Sequence, residues 1–115
     1  MSEEVMSTSF DSHLDALGHA DRRRLLLALL DASTEGGLPV EIDHLASDAA
    51  EVPLRVSMHH VHLPKLDDYG FVETNLDRYT VTTGPRFDEI RPLLELLDGN
   101  RERLPDGWLS PSRRQ

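Results

Sequence analysis

Two short segments of alternating, β-rich character, Phe71–Thr74 and Tyr79–Thr83, follow directly on a helical pattern that closes at Gly70. Between them lies Asn75-Leu76-Asp77-Arg78, a turn-like tetrapeptide, so the pair predicts a β-hairpin. Most of the chain between residue 10 and the hairpin, and the segment straight after it, has helical periodicity. The chain is therefore expected to be α+β and mostly α, with one late hairpin set among helices.

The helices can be placed one by one. Phe10, Leu14 and Leu17 fall at helical spacing, and Gly18 ends that short helix. The next is expected from near Asp21 to about Ala32. Leu25, Leu26, Leu27, Leu29 and Leu30 make it apolar almost all round, the mark of a helix at the centre of a domain. Thr34-Glu35-Gly36-Gly37 reads as a loop and Leu38-Pro39-Val40 as a very short strand. Ile42, Leu45, Ala46 and Ala49 share one face of a short helix, and Ala50 to Val52 form a tight connection. Pro53 suits a first helical position. From there to Tyr69 a longer helix carries Val56, His59, Leu63 and Leu66 on one stripe, with Gly70 as its C-cap. Phe87, Ile90, Leu94 and Leu97 mark a last amphipathic helix that Pro85 could open. Pro92 lies inside the pattern, so this helix is bent or starts nearer Asp88.

The domain is expected over residues 10–97. Residues 1–9, acidic and polar, are expected to be disordered. Residues 98–115, rich in Pro, Gly, Ser and Arg and holding Trp108, read as a C-terminal tail.

A short helix, a tight turn and a longer helix make a helix-turn-helix, and a hairpin straight after the second helix supplies a wing. The expected architecture is a winged helix-turn-helix with flanking N- and C-terminal helices. Its physics suits duplex DNA. The major groove is about 12 Å wide and admits one α-helix, the first helix braces the second, and a hairpin can reach the adjacent minor groove.

Two motifs carry a family resemblance. Val56-Ser57-Met58-His59-His60-Val61-His62-Leu63-Pro64-Lys65-Leu66-Asp67-Asp68-Tyr69-Gly70-Phe71-Val72 resembles the second helix and wing start of ArsR-type winged helices. Those combine a serine-rich helix start, His-Leu-x-x-Leu, a small residue, Gly and two apolar residues. Leu17-Gly18-His19-Ala20-Asp21-Arg22-Arg23-Arg24-Leu25 is similar to that family's Leu-Gly-Asp-x-x-Arg-x-x-Ile opening. The His-His-x-His-Leu-Pro-Lys-Leu segment resembles small ArsR-like proteins of halophilic archaea. The resemblance spans about Phe10 to Leu97 and implies a dimeric, DNA-binding transcriptional regulator. One departure stands out. Metal-sensing members use cysteine pairs or His/Asp clusters on the recognition or terminal helix, whereas this chain has no cysteine and no histidine after His62.

The charge fits the halophilic comparison. There are 21 acidic against 12 basic residues, a net charge of -9, and Lys65 is the only lysine. Acidic, lysine-poor surfaces serve solubility in concentrated potassium salt. The acidity also weighs against nucleic acid, since DNA binders usually carry a basic footprint. In molar salt, however, the Debye length falls to about 3 Å, and only close contacts survive. The lack of cysteine excludes disulfides and thiolate metal sites. No apolar run approaches the roughly 20 residues of a membrane span, and the start of the chain lacks a signal-peptide pattern. A cytoplasmic location is expected.

With the Val56/His59/Leu63/Leu66 stripe facing the core, Leu54, Ser57, Met58, Val61 and Lys65 fall on the opposite face, with His60 beside them. Arg55, at the exposed helix start, is a candidate for guanine. Ser57 and His60 suit bases or phosphates, Met58 and Val61 a thymine methyl, and Lys65 a phosphate. Arg78, on the wing, suits the minor groove. For assembly, Phe10, Leu14 and Leu17 form one stripe. Phe87, Ile90, Leu94 and Leu97, widened by Leu93 and Leu96, form another. More apolar arc is present than a small domain covers by itself, so a homodimer through the first and last helices is expected, as the resemblance also implies.

Three sharper readings give way to plainer ones. His59, His60 and His62 could ligate a metal, but only His59 and His62 share a face and no carboxylate is obviously placed with them. A core-lining His59 with surface neighbours is expected, and no metal or cofactor. Arg22, Arg23 and Arg24 are expected to pair with Asp15, Asp21 or other local acids rather than with nucleic acid. Asp67 and Asp68 read as a solvated acidic face. No Ser/His/Asp set, phosphate loop or apolar carboxylate pair stands out, so an enzyme is not expected. The alternative function is a winged-helix interaction module that has lost DNA binding, which the acidity and the single lysine favour.

Overall fold

The leucines at 25–30 place one helix at the centre of the molecule. The computed structural model describes residues 9–42, 61–105 and 108–109. Among these residues the protein is α+β and mostly helical, with four α-helices and one three-stranded antiparallel sheet. Helix α1 spans Phe10–Ala16, α2 Ala20–Glu35, α3 Leu63–Tyr69 and α4 Phe87–Asp98; the strands are β1 Val40–Glu41, β2 Val72–Asn75 and β3 Thr80–Thr83. The expected helix through Leu45, Ala46 and Ala49 and the expected helix start at Pro53 lie outside the described residues.

Helix α2 buries Leu25, Leu26, Leu27, Leu29 and Leu30 together, so most of its girth is covered, while Asp31 and Glu35 stay exposed. It begins one residue before the expected start and ends three after the expected end. At its start the His19 side chain accepts a hydrogen bond from Asp21 N, satisfying one of the amides a helix start leaves open. At its end the Ser33 and Thr34 hydroxyls bond back to the carbonyls of Leu30 and Asp31, and Gly36 stops the helix at φ 76°. The loop thus shrinks to the glycines and the two residues after them.

The sheet order is β1-β3-β2. Strand β1 pairs with β3 through Val40↔Val81 and Glu41↔Thr80, and β2 with β3 from Val72↔Thr83 to Asn75↔Thr80. The hairpin turn is shaped by Asn75, whose Oδ1 accepts from Arg78 N at 3.1 Å. Helix α3 ends on Gly70 at φ 86°, and Phe71 N returns to Leu66 O at 3.1 Å. That tight exit leads at once into β2. Gly84 N donates to Phe71 O at 2.9 Å, which brings the chain leaving β3 against the start of β2. A Cβ on Gly84 would lie 2.5 Å from Gly70 O, so only glycine fits there.

Helix α4 keeps its full length with Pro92 inside, starting at Phe87 rather than nearer Asp88. Pro85 does not open it, because Arg86 is the N-cap. Phe87, Ile90 and Leu94 are buried, and α4 packs along α2. Beyond it, the expected tail is not all tail. Arg101–Arg103 make a 3-10 turn, and Leu109 is buried in the core cluster. Trp108, half exposed, offers its carbonyl to Arg23 Nε. The apolar residues that bring this segment back, Leu104, Trp108 and Leu109, are too few to stand out in so polar a stretch.

The two expected dimer stripes need correction. Leu17, Phe87, Ile90 and Leu94 lie in the chain's own core and have no surface left for a partner. Helix α1 docks through Ala16, with the chain following it held by Leu17, and this turns Phe10 and Leu14 outward to 64% and 49% exposure. On α4, Leu96 is exposed at 61%, and Leu93 and Leu97 are half-buried. Among the described residues no helix is long and apolar enough to cross a membrane.

Candidate functional site

Of the residues expected to meet DNA, Arg55, Ser57, Met58 and His60 lie outside the described residues, as do Val56 and His59 of the core stripe. Leu63 and Leu66, from the same stripe, are buried as expected. Val61, Lys65 and Arg78 are described. Val61 is half exposed just before α3, and Arg78 is exposed in the hairpin turn.

Lys65 is less free than the sequence suggests. Its Nζ lies 3.0 Å from Asp15 Oδ2 on α1 and 5.7 Å from the centre of the Tyr69 ring. The Tyr69 hydroxyl donates to the same carboxylate oxygen. These two contacts, the Tyr69 hydroxyl first and Lys65 next, hold the Asp15 carboxyl below its ordinary range, and the acceptor raises the Tyr69 hydroxyl. Lysine, tyrosine and aspartate thus clip the outer side of α3 to α1. A groove between α3 and the hairpin is lined in part by Asp67, Asp68, Thr74 and Leu76, and a second, adjoining one shares Asp67, Thr74 and Leu76 and runs along the hairpin past Glu73, Asp77 and Arg78. Asp67 is not purely solvated, because its Oδ2 accepts from Thr74 N at 3.1 Å and ties α3 to β2.

The inner side of α3 holds a second cluster. His62, expected at the surface, is only 3% exposed. Arg22 is buried with it. The Arg22 guanidinium donates from Nε to Ala16 O at 3.1 Å, from Nη2 to Asp15 O at 2.8 Å and from Nη1 to His62 Nδ1 at 3.1 Å. Its carboxylate contact is slight, at 4.0 Å from Asp15 Oδ1, so the expected acid pairing is mainly a pairing with carbonyls. Those carbonyls belong to the last turn of α1, where a helix leaves its acceptors open. Arg23 likewise caps Leu17 O.

Asp21 stands on the other side of His62, with Oδ2 at 3.8 Å from His62 Nε2 and 3.8 Å from His19 Nδ1. The His19 and His62 rings lie 4.3 Å apart. A carboxylate is therefore placed with one of the three clustered histidines, contrary to the reading of the sequence. Burial first, then the nearby His19 and Arg22, push the His62 imidazole below its usual value, so the neutral ring is favoured. No local spacing signals this group, because His62 lies 40 residues beyond Arg22 and joins it only through the fold.

Comparison of the chain with protein-family models, curated proteins and solved structures finds no match in any of the three.

Proposed function

We propose that this chain is an ArsR-like winged helix-turn-helix protein that binds duplex DNA as a homodimer and regulates transcription in a salt-rich cytoplasm. One observation carries the reading. Helix α3 runs straight into the β2–β3 hairpin, and β3 pairs outward with the short strand β1 that follows α2, giving the order β1-β3-β2. This anchors a hairpin at the end of one helix, so that helix and hairpin tip can engage neighbouring grooves. On this reading Arg55, Ser57, Met58, His60 and Val61 face the major groove and Arg78 the minor groove. Lys65 reaches a phosphate only by leaving Asp15. The dimer forms through Phe10, Leu14 and Leu96, with Leu93 and Leu97 at its margin.

Selection from a random duplex pool in molar KCl tests this. The reading requires one enriched, twofold-related sequence, and an unenriched pool overturns it.

A second reading rests on Asp67, Asp68, Glu73 and Asp77, which place acids in both adjoining grooves beside α3 and the hairpin, and on the tie between Lys65 and Asp15. In dilute salt such grooves repel phosphate and suit a basic protein partner instead. On this reading the same selection enriches no duplex.

A further inference from the structure

His19, Asp21 and His62 each offer one ligating atom, and these atoms lie within 4.8 Å of one another. We propose that the three bind one divalent transition-metal ion of the zinc, cobalt or nickel class, with water completing its shell. The site joins the start of α2 to the residue before α3, and its existence does not depend on the DNA reading.

The donor set selects the class of ion. Two imidazoles and one carboxylate suit zinc and its neighbours, whereas calcium and magnesium demand oxygen ligands. Two of the three spacings approach those of a filled site. Ligands about 2.1 Å from a tetrahedral ion stand about 3.4 Å apart. Asp21 Oδ2 is 3.8 Å from each histidine nitrogen that faces it. These gaps are too long for hydrogen bonds, and small turns of Asp21 and the half-exposed His19 close them. His62, buried, supplies the fixed point.

The neighbours set the cost. Arg22 has only donors, so His62 Nδ1 accepts and the proton of the metal-free ring sits on Nε2. Ligation through Nε2 moves that proton to Nδ1, with no net release. Arg22 Nη1 must then let go, while Nε and Nη2 keep the Ala16 and Asp15 carbonyls. If His19 ligates through Nδ1, it gives up the bond from Asp21 N, and that amide turns to water. Binding is accordingly weaker than where ligating histidines donate to carboxylates.

The test uses the full chain, stripped with a chelator and kept in molar KCl. Cobalt(II) is titrated by visible absorption and zinc(II) by competition with a chromophoric chelator. The proposal requires one ion per chain. His19→Asn, which keeps a capping side chain, and Asp21→Asn must each weaken binding at least about tenfold, with the circular dichroism unchanged. His13→Gln must leave it intact. On zinc addition, nitrogen NMR must show the His62 proton moving from Nε2 to Nδ1. Absence of saturable binding overturns the proposal and leaves His62 as a core histidine held by Arg22. Binding that survives both variants assigns the ion to other histidines and overturns it equally.

Discussion

Arg22 Nη1 donates to His62 Nδ1 at 3.1 Å, linking the first turn of α2 to the residue that precedes α3. The same guanidinium holds the carbonyls of Asp15 and Ala16 at the end of α1. One buried side chain thus fixes the relative placement of three helices. A lysine offers a compact point of charge and cannot reproduce this planar fork.

Replacing this arginine tests that role. Arg22→Met keeps most of the stem but leaves open carbonyls and a buried imidazole without a donor. A loss of about 3 kcal/mol is expected in urea unfolding, and Arg22→Lys should recover little of it. A cost under about 1 kcal/mol for Arg22→Met would show that water replaces the guanidinium freely.

The His62 environment makes stability depend on pH. The ring titrates below its ordinary 6.5 in the fold, chiefly because it is buried. As pH falls, the unfolded chain takes up this proton first. Stability is therefore full above about pH 6.5 and declines below it, until the folded ring protonates too. Urea midpoints measured downward from pH 7.5 should fall, and His62→Gln should flatten the slope. A midpoint independent of pH over that range, or an NMR titration of His62 above 6.5, would contradict this.

The buried and exposed leucines of α4 should separate cleanly. Leu94 is fully buried, so Leu94→Ala should cost about 2–5 kcal/mol. Leu96 is exposed, so Leu96→Glu should leave unfolding nearly unchanged for a monomer while lowering the mass seen by light scattering from dimer to monomer. Leu14→Glu on α1 should do the same. A wild-type chain that is already monomeric at micromolar concentration would remove the dimer.

The fold should also need salt. Twenty-one acidic residues on a chain of 115 repel one another when screening is weak. Thermal midpoints should rise from dilute to molar KCl, and a flat dependence would argue against adaptation to concentrated salt.

The sequence made the backbone scheme legible where signals are local. The leucine run of α2, the Gly70 cap, the hairpin and the Phe87-Ile90-Leu94 stripe each follow from periodicity and turn chemistry within a few residues. Helix ends were less legible, since the hydroxyls of Ser33 and Thr34 serve a helix end as well as a loop. Contacts between distant segments were not legible at all. Nothing near His62 announces Arg22, His19 or Asp21, and nothing near Lys65 announces Asp15. The same holds for the outward turn of Phe10 and Leu14, because a stripe shows that a face is apolar but not what covers it.

The central claim is DNA binding through the segment ending in α3 and through the hairpin tip. Fluorescence anisotropy of a selected duplex, titrated with the full chain in molar KCl, tests it most directly. The account predicts saturable binding that survives high salt. Arg55→Ala should weaken it by about 1–3 kcal/mol at the preferred sequence. His60→Ala and Arg78→Ala should weaken it too, with unfolding midpoints unchanged. Absence of binding, or an affinity that none of the three substitutions alters, would contradict the account.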